Sequence, residues 1–357
     1  MVKQALQHFP VFPERPSDEY LERWHQHLND TGYPERFENV STSRPSETKD
    51  VRLLSGELKV PSARRMDSPL IPCPICSPDS PKFKIGRMAW FPEEHTVRFI
   101  GHDCAARHFG ESYRLADRQY KLEQRCRFYK HMWSNFEPRI DGLEAFVEKL
   151  KPIAKAVQFA REHLDDNATG FADFLRGELL RTGGLIVVKE DTGVRDRGQI
   201  VFSDAVMGRV DGLAFVQRNF RPQSTLKSIL DVCADIRNPL PEWAPVDGEN
   251  DNAREIVGRG RRAEWMLKTL REVRDDLDAA RGFLSPANLN LLERWGAHSQ
   301  SPFLSFAFRW EGKAVHLRAE TYLGAYYCNM AILQDFYGAP MPSGLDPALD
   351  PLTSARI

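Results

Sequence analysis

Apolar and polar positions along this chain follow two rhythms, one helical and one alternating. Between residues 111 and 136, Leu115, Leu122, Cys126, Tyr129, Trp133 and Phe136 step by seven, four, three, four and three, which places them in one stripe on a long helix. A second helical period follows at Leu143, Phe146, Val147, Leu150, Ile153, Val157, Ala160 and Leu164, and Pro152 inside it predicts a kink or a break. Pro138 and Gly142 between the two predict an antiparallel helical hairpin. Upstream, KFKIGRMAWF and TVRFIGH alternate and predict a β-hairpin turned at PEEH, with Gly86 as a bulge. SDEYLERWHQHLND predicts a short helix with Ser17 as N-cap.

Downstream of residue 170 the elements become shorter. GFADFLRGELLR predicts a helix ended by Gly183 and Gly184. GLIVVKED, GQIVFSD and GLAFVQRNF predict strands, and PQSTLKSILDVCADI an amphipathic helix. NAREIVGRGRRAEWMLKTLREVRDDLDAARGFL predicts a long helix, and SPANLNLLERWG a short one with Ser285 as N-cap and Pro286 at its first position. FLSFAFRWEGKAVHLRAE predicts a β-hairpin, and TYLGAYYCNMAILQDF a final helix. The expected fold is helix-rich α+β. Its parts are an extended N-terminal arm over 1–68, a cysteine-bearing module over 69–110, a helical hairpin over 111–182 and a small α+β module over 183–240. A C-terminal helical domain with a β-hairpin over 251–338 and a mobile tail over 339–357 complete it.

Composition narrows the function classes without choosing one. The chain has 357 residues, of which 41% are hydrophobic and 28% charged, with a net charge of −1. A near-neutral chain has no global attraction for nucleic acid, so any such contact must come from a local patch. The N-terminus has no apolar signal region, and no apolar run approaches the roughly 18–20 residues of a membrane span, which predicts a cytoplasmic protein with no membrane partner. Six cysteines are too few for a disulfide scaffold. Cys126, Cys233 and Cys328 stand among apolar neighbours and are expected as small core residues. Trp24, Trp90, Trp133, Trp265 and Trp295 occupy apolar periodic positions and are expected in the core as well.

The other three cysteines change the picture. Cys73, Cys76, Cys104 and His108 read C-x2-C-x27-C-x3-H. Cys-Pro-Ile-Cys forms a knuckle whose two thiolates converge on one ion, and residues four apart on a helix share a face. Three thiolates and an imidazole make a closed, tetrahedral, structural zinc site, with His102 as the alternative fourth ligand. The order of knuckle, hairpin and ligand-bearing helix, with Gly101 before the helix, resembles the treble-clef class of zinc fingers over residues 72–110. That resemblance implies a zinc-stabilised module but selects no function, because the class serves nucleic-acid binding, protein binding and nuclease scaffolds alike.

Catalytic patterns are sparse. Pro72-Cys73-Pro74-Ile75-Cys76 matches half of a zinc deaminase signature, but no His-x-Glu precedes it. A nuclease would have to use His95, His102 and Asp103 without the His-Asn-His order of that class. No nucleophile elbow, P-loop or dinucleotide-binding fingerprint is present. The sequence therefore predicts no catalytic residue and a binding role. Arg114, Arg118, Lys121 and Arg125 step by four, three and four along the helix after the cysteines, a cationic stripe that can lie along DNA or RNA phosphates. The alternative is an assembly subunit that meets another protein, or itself, through the apolar stripe of the 115–136 helix. The second basic cluster, Arg254 to Arg274, is interleaved with acids and is expected as salt-bridged surface.

Overall fold

The strand Ile85–Phe91 organises the cysteine-bearing part of the chain, as seen in a computed structural model that describes residues 6–46, 50–167, 171–301, 303–311, 314–321, 324–331 and 341–344. The elements are helices and small antiparallel sheets, the helix-rich α+β class that the periodicity predicts. The described residues divide into two compact units, one comprising those up to 131 together with 240–258, the other comprising 132–239 together with those from 259 onward.

The first unit begins with helix α1 (Asp18–Thr31). Ser17 caps it by accepting the Tyr20 N–H at 3.3 Å, and Gly32, at φ 75°, ends it. Short strands β1 (Arg52–Leu53) and β2 (Leu58–Lys59) precede the ribbon of β3 (Ile71–Cys73) and β4 (Ser77–Phe83). Then come β5 (Ile85–Phe91) and β6 (Thr96–Gly101), joined through a 3-10 turn at Pro92–Glu94, and helices α2 (His102–Phe109) and α3 (Glu111–Phe136). One edge of β5 pairs with β6, from Gly86↔Gly101 to Phe91↔Thr96, and the other pairs with β1 and β2.

This sheet is covered on both faces, which accounts for the near-continuous burial of β5 and β6. Met88, Trp90, Val97 and Phe99 pack against Tyr20, Leu21, Trp24 and Leu28 of α1. On the other side Ala89, Phe91 and Ile100 pack with Cys73, Ile75, Ala105 and Phe109. The cysteine segment is thus fastened to a real core. Residues 41–46 of the expected N-terminal arm are tied to the same sheet, since the Ser41 N–H donates to Val97 O at 2.8 Å and the Ser46 N–H to Glu94 Oε1 at 2.9 Å. Residues 47–49 lie outside the described residues.

Gly86 is not a bulge, because its pairing with Gly101 is in register. It marks a close approach instead. A Cβ there would sit 2.5 Å from Phe83 Cε2 and 2.6 Å from the Ile100 carbonyl oxygen. Gly86→Ala is therefore expected to destabilise the first unit by about 1–3 kcal/mol, the range for overpacking, checked by urea unfolding against wild type.

In the second unit the joint expected near Pro138 and Gly142 is itself helical. Phe136 and Ile140 both keep right-handed helical angles around a 3-10 turn at Glu137–Arg139, so the chain passes on into helix α4 (Ile140–Asn167). Pro152 sits inside α4 without breaking it. Helix α5 (Phe171–Arg181) ends at Gly183 and Gly184, both at positive φ, and leads to the hairpin of β7 (Leu185–Asp196) and β8 (Gln199–Arg209). The strand expected at GLAFVQRNF is instead a 3-10 turn, Leu213–Val216, with Ala214, Phe215 and Val216 all buried. A run buried on every side has no period, so its sequence cannot separate strand from helix.

Helices α6 (Pro222–Ile236), α7 (Asp251–Phe283) and α8 (Pro286–Gly296) follow as predicted, α8 with Ser285 accepting the Asn288 N–H at 3.3 Å. The hairpin of β9 (Phe303–Glu311) and β10 (Ala314–Thr321) also forms, but its third strand is β11 (Gly324–Ala331), where the sequence predicts a helix. The rest of that predicted helix, 332–336, lies outside the described residues, as does most of the expected tail. No described helix is long and apolar enough to cross a membrane.

Candidate metal centre

Two separate elements bring three sulfurs together. Cys73 closes β3, and residues 74–76 turn the chain so that Cys76 stands at the head of β4. Cys104 lies in the first turn of α2, which β6 delivers directly after Gly101. The three Sγ atoms all lie within 4.8 Å of one another. Cys73 is buried, Cys104 half-buried and Cys76 exposed, and none is in a disulfide.

The chemistry of this cluster suits a cation. Cys76 and Cys104 approach to 2.9 Å between sulfurs. The Cys104 thiol is pushed up to about 12, first by burial and then by the Cys76 and Cys73 sulfurs beside it. Three thiolates at such range repel one another in the absence of a positive charge. A bound divalent metal removes that conflict, since a coordinating thiol is deprotonated outright. At a metal–sulfur bond of about 2.3 Å, tetrahedral geometry puts sulfurs roughly 3.8 Å apart, within the observed spread. Cys73, Cys76 and Cys104 can therefore hold a metal ion, and the layout is compatible with a zinc-finger-like motif.

Neither expected fourth ligand lies within this group of atoms. His108 is exposed on α2, with its ring edge-on to Phe109 at 4.8 Å. His102 is engaged elsewhere, its Nδ1 lying 3.1 Å from Glu57 Oε1 and 3.1 Å from the Tyr113 hydroxyl. Glu57 in turn accepts from Arg87 at 3.1 Å, and Arg87 donates to Asp117 at 2.5 Å. The sequence did not reveal this network, because Glu57, Arg87 and Asp117 come together only once β5, α2 and α3 are assembled.

No family model matches this chain, and neither the curated proteins nor the solved structures give a match.

The other candidate residues are placed as follows. Arg114, Arg118 and Lys121 are exposed on α3, and Arg125 is half-buried. Glu111 pairs with Arg114 at 3.4 Å and Arg118 at 3.1 Å, and Asp117 pairs with Lys121 at 2.7 Å. Two carboxylates thus serve three exposed cations, and exposed pairs of this kind are worth at most about 1 kcal/mol each. His95 and His102 flank β6 at opposite ends, roughly 23 Å apart at about 3.3 Å per residue, so they cannot serve one nuclease metal. His95 takes the left-handed turn position at φ 54°.

Along the apolar stripe of α3 only Leu115 is open, at 44% exposure. Leu122, Cys126 and Tyr129 pack with Trp243, Ala253, Ile256 and Val257, while Trp133 and Phe136 are buried. Cys126 and Cys233 are buried, and burial pushes both thiols up to about 11, as expected of core cysteines. The side chain of Cys328 lies outside the described residues. Trp265, expected in the core, is instead 45% exposed. Within the second basic cluster Arg259 is buried, donating to the carbonyls of Asp235, Asn238 and Pro239 at the C-terminal end of α6. Arg254, Arg262, Lys268 and Arg274 are paired with acids.

Proposed function

We propose that this chain is a nucleic-acid-binding protein whose α2–α3 segment is held in place by a structural zinc ion on Cys73, Cys76 and Cys104. The observation that carries the reading is the convergence of these three thiols from the knuckle and from the start of α2. Soft thiolate donors select zinc over magnesium or calcium. The ion locks the β3–β4 ribbon to α2 in the manner of a treble clef, and His108 supplies the fourth ligand by a side-chain rotation that its exposure permits, with His102 as the alternative. The helix that follows presents Arg114, Arg118, Lys121 and Arg125 to a phosphate backbone, and phosphates displace the weak pairs to Glu111 and Asp117. An assembly role through the 115–136 stripe has less support, because most of that stripe is already covered by the chain itself.

Fluorescence anisotropy of the zinc-loaded chain with single- and double-stranded DNA and RNA tests this. Contacts to four phosphates predict affinity that falls roughly a hundredfold between about 50 and 200 mM salt. An affinity unaffected by salt, or no binding at the lower salt, would overturn the nucleic-acid reading and leave the metal centre to be judged by zinc analysis.

A further inference from the structure

A second cationic feature lies in the other unit and belongs to no motif that the sequence revealed. Helices α4 and α6 pack together and leave between them a groove of about 520 Å³. Lys151, Pro152 and Lys155 form one wall, and Gln223, Lys227 and Leu230 the other. Lys151 is held by Glu148. Lys155 and Lys227 are exposed and have no ion-pair partner among the described residues, whereas most arginines of this chain do. Unpaired ammonium groups facing one another across a groove raise the local potential and concentrate anions there.

We propose that this groove binds the sugar–phosphate backbone of a single-stranded nucleic acid, independently of sequence. The proposal rests on the nucleic-acid reading above and gives it a second contact. Lys151 and Lys155 are one helical turn apart, about 6 Å along the axis, close to the spacing of successive phosphates on an extended strand. Lys227 meets the strand from the opposite wall. Pro152 on one wall and Leu230 on the other add apolar lining beside the ammonium groups, suited to a sugar or the face of an unpaired base. Lysine ammonium groups bind phosphate as point charges and read no base edge, so the contact is independent of sequence.

The test uses the full, zinc-loaded chain and labelled single-stranded and duplex oligonucleotides of one mixed sequence. Lys155→Ala/Lys227→Ala is compared with Arg114→Ala/Arg118→Ala, and thermal melting controls for folding. The groove variant is expected to keep the wild-type melting temperature and lose single-strand affinity at least about tenfold at low salt, with its log–log salt slope reduced by roughly 1.4 for two lost phosphate contacts. If that variant binds as wild type does while the α3 variant loses affinity, the groove proposal is overturned and the proposed function stands. If loss in the groove variant is confined to duplex, the single-strand assignment is overturned. A wild-type chain that binds neither form overturns both.

Discussion

Cys73→Ser is expected to abolish stoichiometric zinc binding and to unfasten the β3–β4 ribbon while the β5–β6 hairpin keeps its core. Cys73 is fully buried and sits at the junction where the ribbon enters the sheet core. Beyond the anchors Ile71, Cys73 and Ile75, the ribbon has little packing to hold β4. It is two-stranded, β4 is largely solvent-facing, and its pairing with β3 shifts register twice within three residues. Isolated two-stranded ribbons are marginal in water, so a metal on the three thiols would add stability that the exposed β4 strand does not get from packing. Structural zinc in finger peptides contributes on the order of 10 kcal/mol at neutral pH, and most of this is lost with a ligand. On the proposed zinc centre, metal analysis is expected to give one zinc per wild-type chain and near zero for Cys73→Ser, with amide exchange rising over β4 (Ser77–Phe83). Cys126→Ser is the control, a buried thiol in a different cluster, and should leave the zinc content unchanged at a cost of about 1–2 kcal/mol. Retention of both metal and protection in Cys73→Ser would refute the metal centre.

What the sequence made legible is what depends on neighbours in sequence. The knuckle Cys73–Cys76, the caps at Ser17 and Ser285 and the strong period of α6 are local signals, and the chain obeys them. The expectations that failed depended on distant partners. β11 contains a long apolar and aromatic run that fits a helix period in isolation, yet its backbone pairs in register with β10 along its whole length. Lys155 of α4 and Lys227 of α6 are 72 residues apart, so no window of sequence joins the two sides of the groove. Arg98 was invisible for a similar reason. A charged residue in an alternating strand implies a solvent-facing side, but both faces of this sheet are covered, so the cation is buried.

Arg98 carries the second large expectation, with a pH dependence attached. Its side chain is 0% exposed. The guanidinium donates through Nε to Ser43 O at 2.9 Å, through Nη1 to Thr96 Oγ1 at 2.5 Å and through Nη2 to Glu94 Oε2 at 2.6 Å. Glu94 also accepts from the Ser46 N–H and hydroxyl, so this one ion pair ties the segment around residues 43–46 to the turn between β5 and β6. Removing one partner of a buried pair leaves an uncompensated charge, and Arg98→Ala is expected to cost about 3–5 kcal/mol at neutral pH. Adding Glu94→Gln should recover part of that loss, because the stranded carboxylate is then neutral. Burial pushes the Glu94 carboxyl up, but the Arg98 charge and hydrogen bond together with Ser46 outweigh it and hold the group below its ordinary value of 4.5. A carboxyl lowered on folding adds stability that is complete above the unfolded value and disappears as pH falls through the folded one. The gap between wild type and Arg98→Ala, measured by urea unfolding, should therefore be widest near pH 7 and narrow progressively below about pH 4. A gap of equal size at pH 7 and pH 3 would mean that Arg98 acts through its packing on Phe91, 4.8 Å from the guanidinium carbon, and not through the ion pair.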